Sequence, residues 1–482
     1  MTIKKIVSLF CVVIFLISCS DKNVSNDVST PNLLTEQEAK VLFRMREPEN
    51  RVSLDEVMKL ADEVINILDR ESSLRSVSGR SVSTMSALVL ENKSALRSSD
   101  FAGIDIPDTL AHILNFNDSL GFAIISADTR VDDQILAFSG SGSLIDSTDN
   151  PGIAIFLENL EGYILNAIIE AEQQKDSLLK SIEEKLSAES NTRSMSILVP
   201  IIRSREISRE TVRQITPLVS VEWGQGKPFN DNLGGVCAAT WRNPDGKFPA
   251  GCVAVAVAHI ISYWRLPPNI NGHSFNWNEL NRYTARPVAY NGAGTLSVFN
   301  APTHVNNQLA NLLQQIGRGV NMNYNCAGSG TSTSNSVAFL LTQGFRVGGV
   351  GIEAIANGRM GTLIKDYNSS TVITSLDNRR PLMIAGCSEK NSGCHQWVID
   401  GYLRQRITRE TTIEQFGRII SQAISTFYPE YIHNNWGWNG VDNGYFASGV
   451  FNSNLTPIHS GTRANEPYNY QHRLQIVPNI HR

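Results

Sequence analysis

Cys252 stands directly after Gly251 at the mouth of an apolar run, FPAGCVAVAVAHIISYWRLP. Residues Val253 to Trp264 suit a helix buried on most sides, and Pro267 and Pro268 stop it. A thiol at a helix start can be plain core packing, because free cysteine is among the most buried residue types. It can equally be a nucleophile, because the partial positive charge at a helix N-terminus favours thiolate and lowers the thiol pKa. The residue alone does not choose between these readings.

A nucleophilic thiol needs a base to take its proton, and the base needs a group to hold its ring. Most histidines of the C-terminal half are expected on the surface or in the core. His259 lies two turns beyond Cys252 along the helix axis, too far for a hydrogen bond. His395 opens a strand-like run within CHQWVIDGY. Its separation from Cys252 (395 − 252 = 143) lies inside the roughly 130–150 spacing of the papain-type histidine. The segment HNNWGWNGVDNGYF then offers Asn435 to accept the imidazole N–H. Trp436 or Trp438 can shield that bond from water, which strengthens it by lowering the local dielectric. The separation of Asn435 from Cys252 (435 − 252 = 183) is beyond the papain spacing, so simple homology to papain is not supported.

Taken together, AGCVAVAVAHIISYW, HQWVIDGY and NNWGWNGVDNGYF resemble the streptopain family of cysteine peptidases. PLVSVEWGQGKPFN, from Pro217, is similar to that family's mature start, and MNYNCAGSGTSTSNSVAFLL to its substrate-cleft loop. LGFAIISADTRVDDQILAFSGSG resembles its inhibitory pro-domain. The chain departs from the family at Ala250, where threonine is usual, at Cys394, where glycine is favoured, and at Asn439, where glycine is common. The insert CAATWRNPDGKFPA obscures the oxyanion glutamine. Gln225 is the candidate, although its separation from Cys252 (252 − 225 = 27) is not papain-like.

The resemblance implies an α+β chain: a papain-like two-subdomain cysteine peptidase behind a small α+β pro-domain. It implies attack by the Cys252 thiolate, proton transfer through His395, orientation by Asn435 under Trp436, and hydrolysis of a thioester by water. The Cys252 N–H, with Gln225, would stabilise the oxyanion. Ser329, Gly330 and Trp438 would line the substrate side. No cofactor or metal is called for; a zinc site at Cys387, Cys394 and His395 lacks a fourth ligand. Two other classes share these residues: a transglutaminase-like acyl transferase and a catalytically silent surface-binding lipoprotein.

The rest of the chain must position and deliver this site. At 482 residues it exceeds one core, and 41% hydrophobic with 18% charged residues is ordinary for a globular protein. A net charge of −4 gives no reason to expect nucleic acid as a partner. MTIKKIVSLFCVVIFLISCS reads as a signal segment whose Leu16-Ile17-Ser18-Cys19 ending resembles a bacterial lipoprotein box. Cys19 would then carry lipid and hold the protein to the cell envelope, on the outer membrane or the cell surface. The expected organisation is signal 1–18, polar tether 19–34, pro-domain 35–190, activation linker 191–209 and peptidase domain 210–482. The linker's arginines, Arg193, Arg203, Arg205 and Arg209, sit in a sequence expected to be open to nicking. Partners are protein or peptide substrates, the chain's own pro-domain as intramolecular inhibitor, and a membrane through Cys19. Five cysteines remain beyond the signal, an odd number; if Cys252 is the free thiol, the other four can pair. Cys387 and Cys394 bracket SEKNSG, a turn-rich tip able to bring them together.

Overall fold

The computed structural model describes residues 34–45, 50–71, 79–90, 103–144, 150–189, 201–239, 245–289, 295–388, 393–415, 417–452 and 474–482. The signal segment, Cys19, all but the last residue of the tether, and residues 191–200 of the expected linker lie outside them.

The N-terminal unit starts with two capped helices. Thr35 and Glu38 close a reciprocal capping box that begins α1 (Glu36–Arg44). Ser53 accepts the Glu56 N–H at 3.2 Å and begins α2 (Leu54–Glu71), whose Val57, Leu60, Ala61, Val64 and Leu68 form a buried stripe. Strands β1 (Val82–Val89), β2 (Thr109–Phe116), β3 (Phe122–Ser126) and β4 (Ile135–Ser139) make an antiparallel meander. A short turn at Asn117–Ser119 joins β2 to β3. Helix α3 (Pro151–Glu189) is apolar and long enough to cross a membrane by composition, yet Ile153, Phe156, Leu160, Ile164 and Ile168 are fully buried in core. Its apolar residues are used inside the protein.

The C-terminal unit contributes β5 (Ile201–Ile215), α4 (Cys252–Trp264), β6 (Leu382–Cys387), β7 (Cys394–Gln415), β8 (Arg418–Phe427), β9 (Glu430–Asn435), β10 (Gly444–Ala447) and β11 (Gln475–Val477). The main sheet runs β1-β2-β3-β4-β10-β9-β7-β6-β11 and ends on Lys365–Asp366, with β5 and β8 beside the far part of β7. At the seam, Ala137, Phe138 and Ser139 of β4 pair with Phe446, Tyr445 and Gly444 of β10. The N-terminal unit is therefore a continuation of the C-terminal sheet, sharing its hydrogen-bond ladder.

Alternation of side chains along β7 divides the interior. Trp397, Ile399 and Tyr402 face a core shared with α3, whereas Val398 and its neighbour Met383 face a core built around α4 and the helix Thr303–Gly319. The α+β class holds. The open linker does not hold over 201–209, because those residues are part of β5, paired with β7 from Tyr402 to Glu414. Its polar sequence belongs to a strand with a solvated outer face, where Arg203 meets Glu414 and Arg205 meets Glu410 across the ladder. Backbone held in a ladder is a poor site for nicking.

Candidate active site

Gly251 turns the chain into α4 with φ +89, a conformation glycine adopts without strain. A Cβ there would lie 2.7 Å from the Met322 sulfur and 3.0 Å from the Ser329 carbonyl oxygen. This close approach seats Cys252 beside the expected cleft loop. Ser329 is buried and accepts the Asn325 N–H at 3.3 Å, and Gly330 leaves open space where a side chain would be. The Gln225 carbonyl accepts the Ala250 N–H at 2.9 Å, so the long excursion between them closes next to the thiol, and the half-buried Gln225 stays beside it. A disulfide from Cys237 to Cys326 ties that excursion to the cleft loop.

Cys252 is a free cysteine at the first position of α4, half-buried at the edge of the α4 core. Its sulfur faces the backbone N–H groups of Gln396, Val253 and Cys252 itself. Gln396 follows His395, so the nucleophile candidate and the base candidate meet at the start of β7. Burial pushes the thiol above its ordinary value, and the three N–H groups only partly oppose it.

His395 is buried, with its ring on the Trp397 side of β7, stacked on Trp397 at 5.8 Å and edge-on to the half-buried Trp438 at 6.3 Å. Its Nε2 lies 2.8 Å from the Trp436 carbonyl oxygen. A carbonyl only accepts, so Nε2 carries the proton and Nδ1 keeps its lone pair, the tautomer a base needs. Burial lowers the imidazole to about 4, against the pull of that carbonyl. A raised thiol and a lowered imidazole are both neutral near pH 7. The two groups are thus brought to one strand end but are not an ion pair.

Asn435 does not accept the imidazole N–H. Its amide donates to the Val221 carbonyl at 3.0 Å and its oxygen accepts the Gly437 N–H at 3.3 Å. It braces the turn, and the adjoining Trp436 carbonyl holds the ring instead. The Trp436 side chain is fully buried between Trp397 (5.1 Å) and Phe446 (5.0 Å), with Nε1 donating to the Asp442 carbonyl. Its ring also meets the first turn of α3: a Cβ on Gly152 would fall 2.1 Å from it.

His259 accepts the Trp223 N–H at 3.1 Å and is lowered by burial to about 3; it is a core histidine. Cys387 and Cys394 are bonded across the β6–β7 hairpin, with Cα atoms 3.9 Å apart. Neither then offers the thiolate a zinc site needs.

Residues 223–446 match the Peptidase C10 family, and residues 49–164 match the Spi protease inhibitor family. The C-terminal unit is that of a streptopain-like cysteine peptidase. Streptopain of Streptococcus pyogenes serotype M1 is 24% identical over 357 residues, 69% of this chain and 72% of streptopain. Thiol protease/hemagglutinin PrtT of Porphyromonas gingivalis is 24% identical over 358 residues, 72% of this chain and 34% of PrtT. A fragment of Prevotella intermedia prointerpain A superimposes with a TM-score of 0.44 at 19% identity, over 83% of this chain and 99% of the fragment.

The chain is a cysteine-type endopeptidase whose N-terminal unit matches a protease-inhibitor family. Sequence reasoning missed two atoms of the candidate site, the Gln396 N–H facing Cys252 and the Trp436 carbonyl facing His395. Both belong to the backbone, which every residue carries, so no residue type could have flagged them.

Proposed function

We propose that the chain is the latent precursor of a secreted, lipid-anchored endopeptidase in which Cys252 is the nucleophile and His395 the base. The observation that carries this reading is the separation of two prepared halves. Cys252 waits at the α4 N-terminus among backbone donors, while His395, already in the base tautomer, is held on the face of β7 that packs against α3. The Spi-type unit braces that arrangement at several points. Gly152 lies against Trp436, whose carbonyl holds the ring, and Ser139 and Ser141 donate to the Asn443 and Gly440 carbonyls of the following turn. Loss of the pro-piece would free this turn and let the imidazole swing toward the thiol.

In the working enzyme, Nδ1 of His395 takes the thiol proton and the thiolate attacks the scissile carbonyl carbon. Negative charge developing on the carbonyl oxygen meets the Cys252 N–H and the Gln225 side chain. As the C–N bond breaks, His395 returns the proton to the leaving amine, and water then hydrolyses the thioester by the same relay. Asn435 acts here as a brace for the Trp436 carbonyl. Ser329, Gly330 and Trp438 border the substrate side. Cutting within 190–200, at Arg193 for example, would separate the pro-piece, and lipid on Cys19 would stay with that piece.

The test compares wild type with Cys252→Ala. Size, membrane attachment and hydrolysis of a peptide library are followed before and after trypsin. Wild type should shorten and gain activity, and Cys252→Ala should shorten only with trypsin and stay inactive. Full activity in the uncut wild type, unchanged by cutting, would defeat the latency reading.

A further inference from the structure

Strand β7 does not end at the active site. Beyond Arg404 it continues between β5 and β8 as a three-stranded arm. The two strands β5 and β7 repeat one pattern, Ile207-Ser208-Arg209-Glu210-Thr211 and Ile407-Thr408-Arg409-Glu410-Thr411, and run antiparallel. The repeat puts two arginine side chains, Arg209 and Arg409, on the inner face, each only 3% exposed. The outer face is a ladder of exposed ion pairs such as Arg406–Glu210.

Everything seated on the inner face, among the described residues, comes from the N-terminal unit. Ile413 and Ala423 pack with Ala39 and Leu42 of α1 and with Leu178 and Ile182 of α3. The Arg409 guanidinium lies 3.8 Å over the Phe43 ring and donates to the Asp132 carbonyl. Arg209 donates to the Asp133 carboxylate at 3.1 Å, and the Thr426 N–H reaches the Glu36 carboxylate at 3.4 Å. This occupant leaves donors of the face unused. Arg409 Nε and the hydroxyls of Ser421 and Ser425, all buried, have no partner among the described residues. A face that served only to back the pro-domain would gain by apolar groups at these positions.

We propose that the inner face of this arm is a docking site for a helix of protein substrates, apolar on one side and flanked by carboxylates, and that α1 with the Asp132–Asp133 turn occupies it in the precursor. The proposal rests on the latency reading, since the face opens only when the pro-piece leaves. Two inward arginines and the unused donors call for acidic flanks, and Ile413, Ala423 and the Phe43 contact call for an apolar, aromatic-bearing helix face. The arm is the outward run of the strand that bears His395, which points a docked chain toward the cleft. The strand from His395 to Arg409 spans about 45 Å at the usual rise per residue. A docked helix therefore presents for cleavage a bond at least ~13 extended residues away.

The test uses full-length Cys252→Ala, cut at Arg193 by trypsin, either left whole or stripped of its pro-piece. The probe is a fluorescein-labelled peptide of residues 34–45, with a Phe43→Ala peptide as its control. Stripped protein should bind the probe saturably, the whole complex at least tenfold more weakly, and the Phe43→Ala peptide at least tenfold more weakly. Arg409→Gln should weaken binding at least tenfold, and outer-face Arg406→Gln should leave it unchanged. With active enzyme, the same helix joined to a cleavable peptide by a flexible linker long enough to span the arm should be cut at least tenfold faster than one joined by a linker too short to reach. Arg409→Gln should remove that advantage. Stripped protein that ignores the probe, or that doubles in mass by pairing through this face, overturns the proposal. Probe binding by stripped Cys252→Ala, with wild type gaining no activity when its own pro-piece is removed, supports the docking site and defeats latency.

Discussion

Alkylation of Cys252 as a function of pH separates the latent site from the working one. In the precursor, burial raises the thiol, and His395 is neutral and bonded to Trp436. Only the thiolate reacts, and far below the pKa its fraction grows tenfold per pH unit. The iodoacetamide rate of the precursor should therefore climb about a thousandfold from pH 5 to pH 8, without a plateau. Once His395 has taken the proton, thiolates of this kind form with a pKa between about 3.5 and 7.5. The rate of activated enzyme should then change by no more than about 25-fold from pH 6 to pH 8, against about a hundredfold for the precursor. A thiolate of low pKa is also a weaker nucleophile, by a Brønsted factor of about 0.4–0.5, so slope is a better readout than height. Cys252 is the free cysteine among the described residues, and intact mass without reductant reads its labelling while the two disulfides stay closed. A precursor already flat from pH 5 to pH 8 would refute the separated pair. An activated enzyme that keeps the tenfold slope would refute the ion pair.

Acid should loosen the precursor. His395 and His259 titrate at about 4 and about 3 when folded, against 6.5 when exposed, so the unfolded chain binds more protons between these values. That stabilisation is whole above pH 6.5 and is lost as pH falls through the folded values; His395 alone accounts for about 3 kcal/mol. Urea midpoints at pH 7 and pH 4.5 check this, and equal stability would contradict it. Gly152→Val places carbon inside the Trp436 ring and should lift the start of α3, raising hydrolysis of a short peptide by uncut precursor at least tenfold. Asp133→Asn takes the carboxylate from buried Arg209 and from the Tyr431 hydroxyl. Because Glu206 still neutralises Arg209, it should cost about 1–3 kcal/mol in the melting of the precursor and speed loss of the pro-piece after cutting at Arg193.

Local chemistry was legible in the residue order. The apolar run after Gly251 specified α4 and its proline stop, two capping patterns start α1 and α2, and the Asn117-Asp118 turn joins β2 to β3. These depend on a few neighbouring residues, so sequence alone carries them. The spacing and flanking motifs of Cys252 and His395 likewise picked out two residues that fold to one end of β7, and SEKNSG brought Cys387 to Cys394.

What could not be read were contacts between distant segments, and contacts made by backbone. The polar stretch 201–209 looked open because its partner strand lies far along the chain, with Ile407 opposite Arg209, and pairing decides whether such a sequence is loop or ladder. Asn435 looked like the orienter because it is the polar side chain nearby, whereas a main-chain carbonyl one residue on does that work. Residue types determined which groups could react. Tertiary structure alone decided that the imidazole turns to the α3 side of β7, because burial of Trp397 and Trp436 against that helix sets the face, and a strand shows its two faces only when packed.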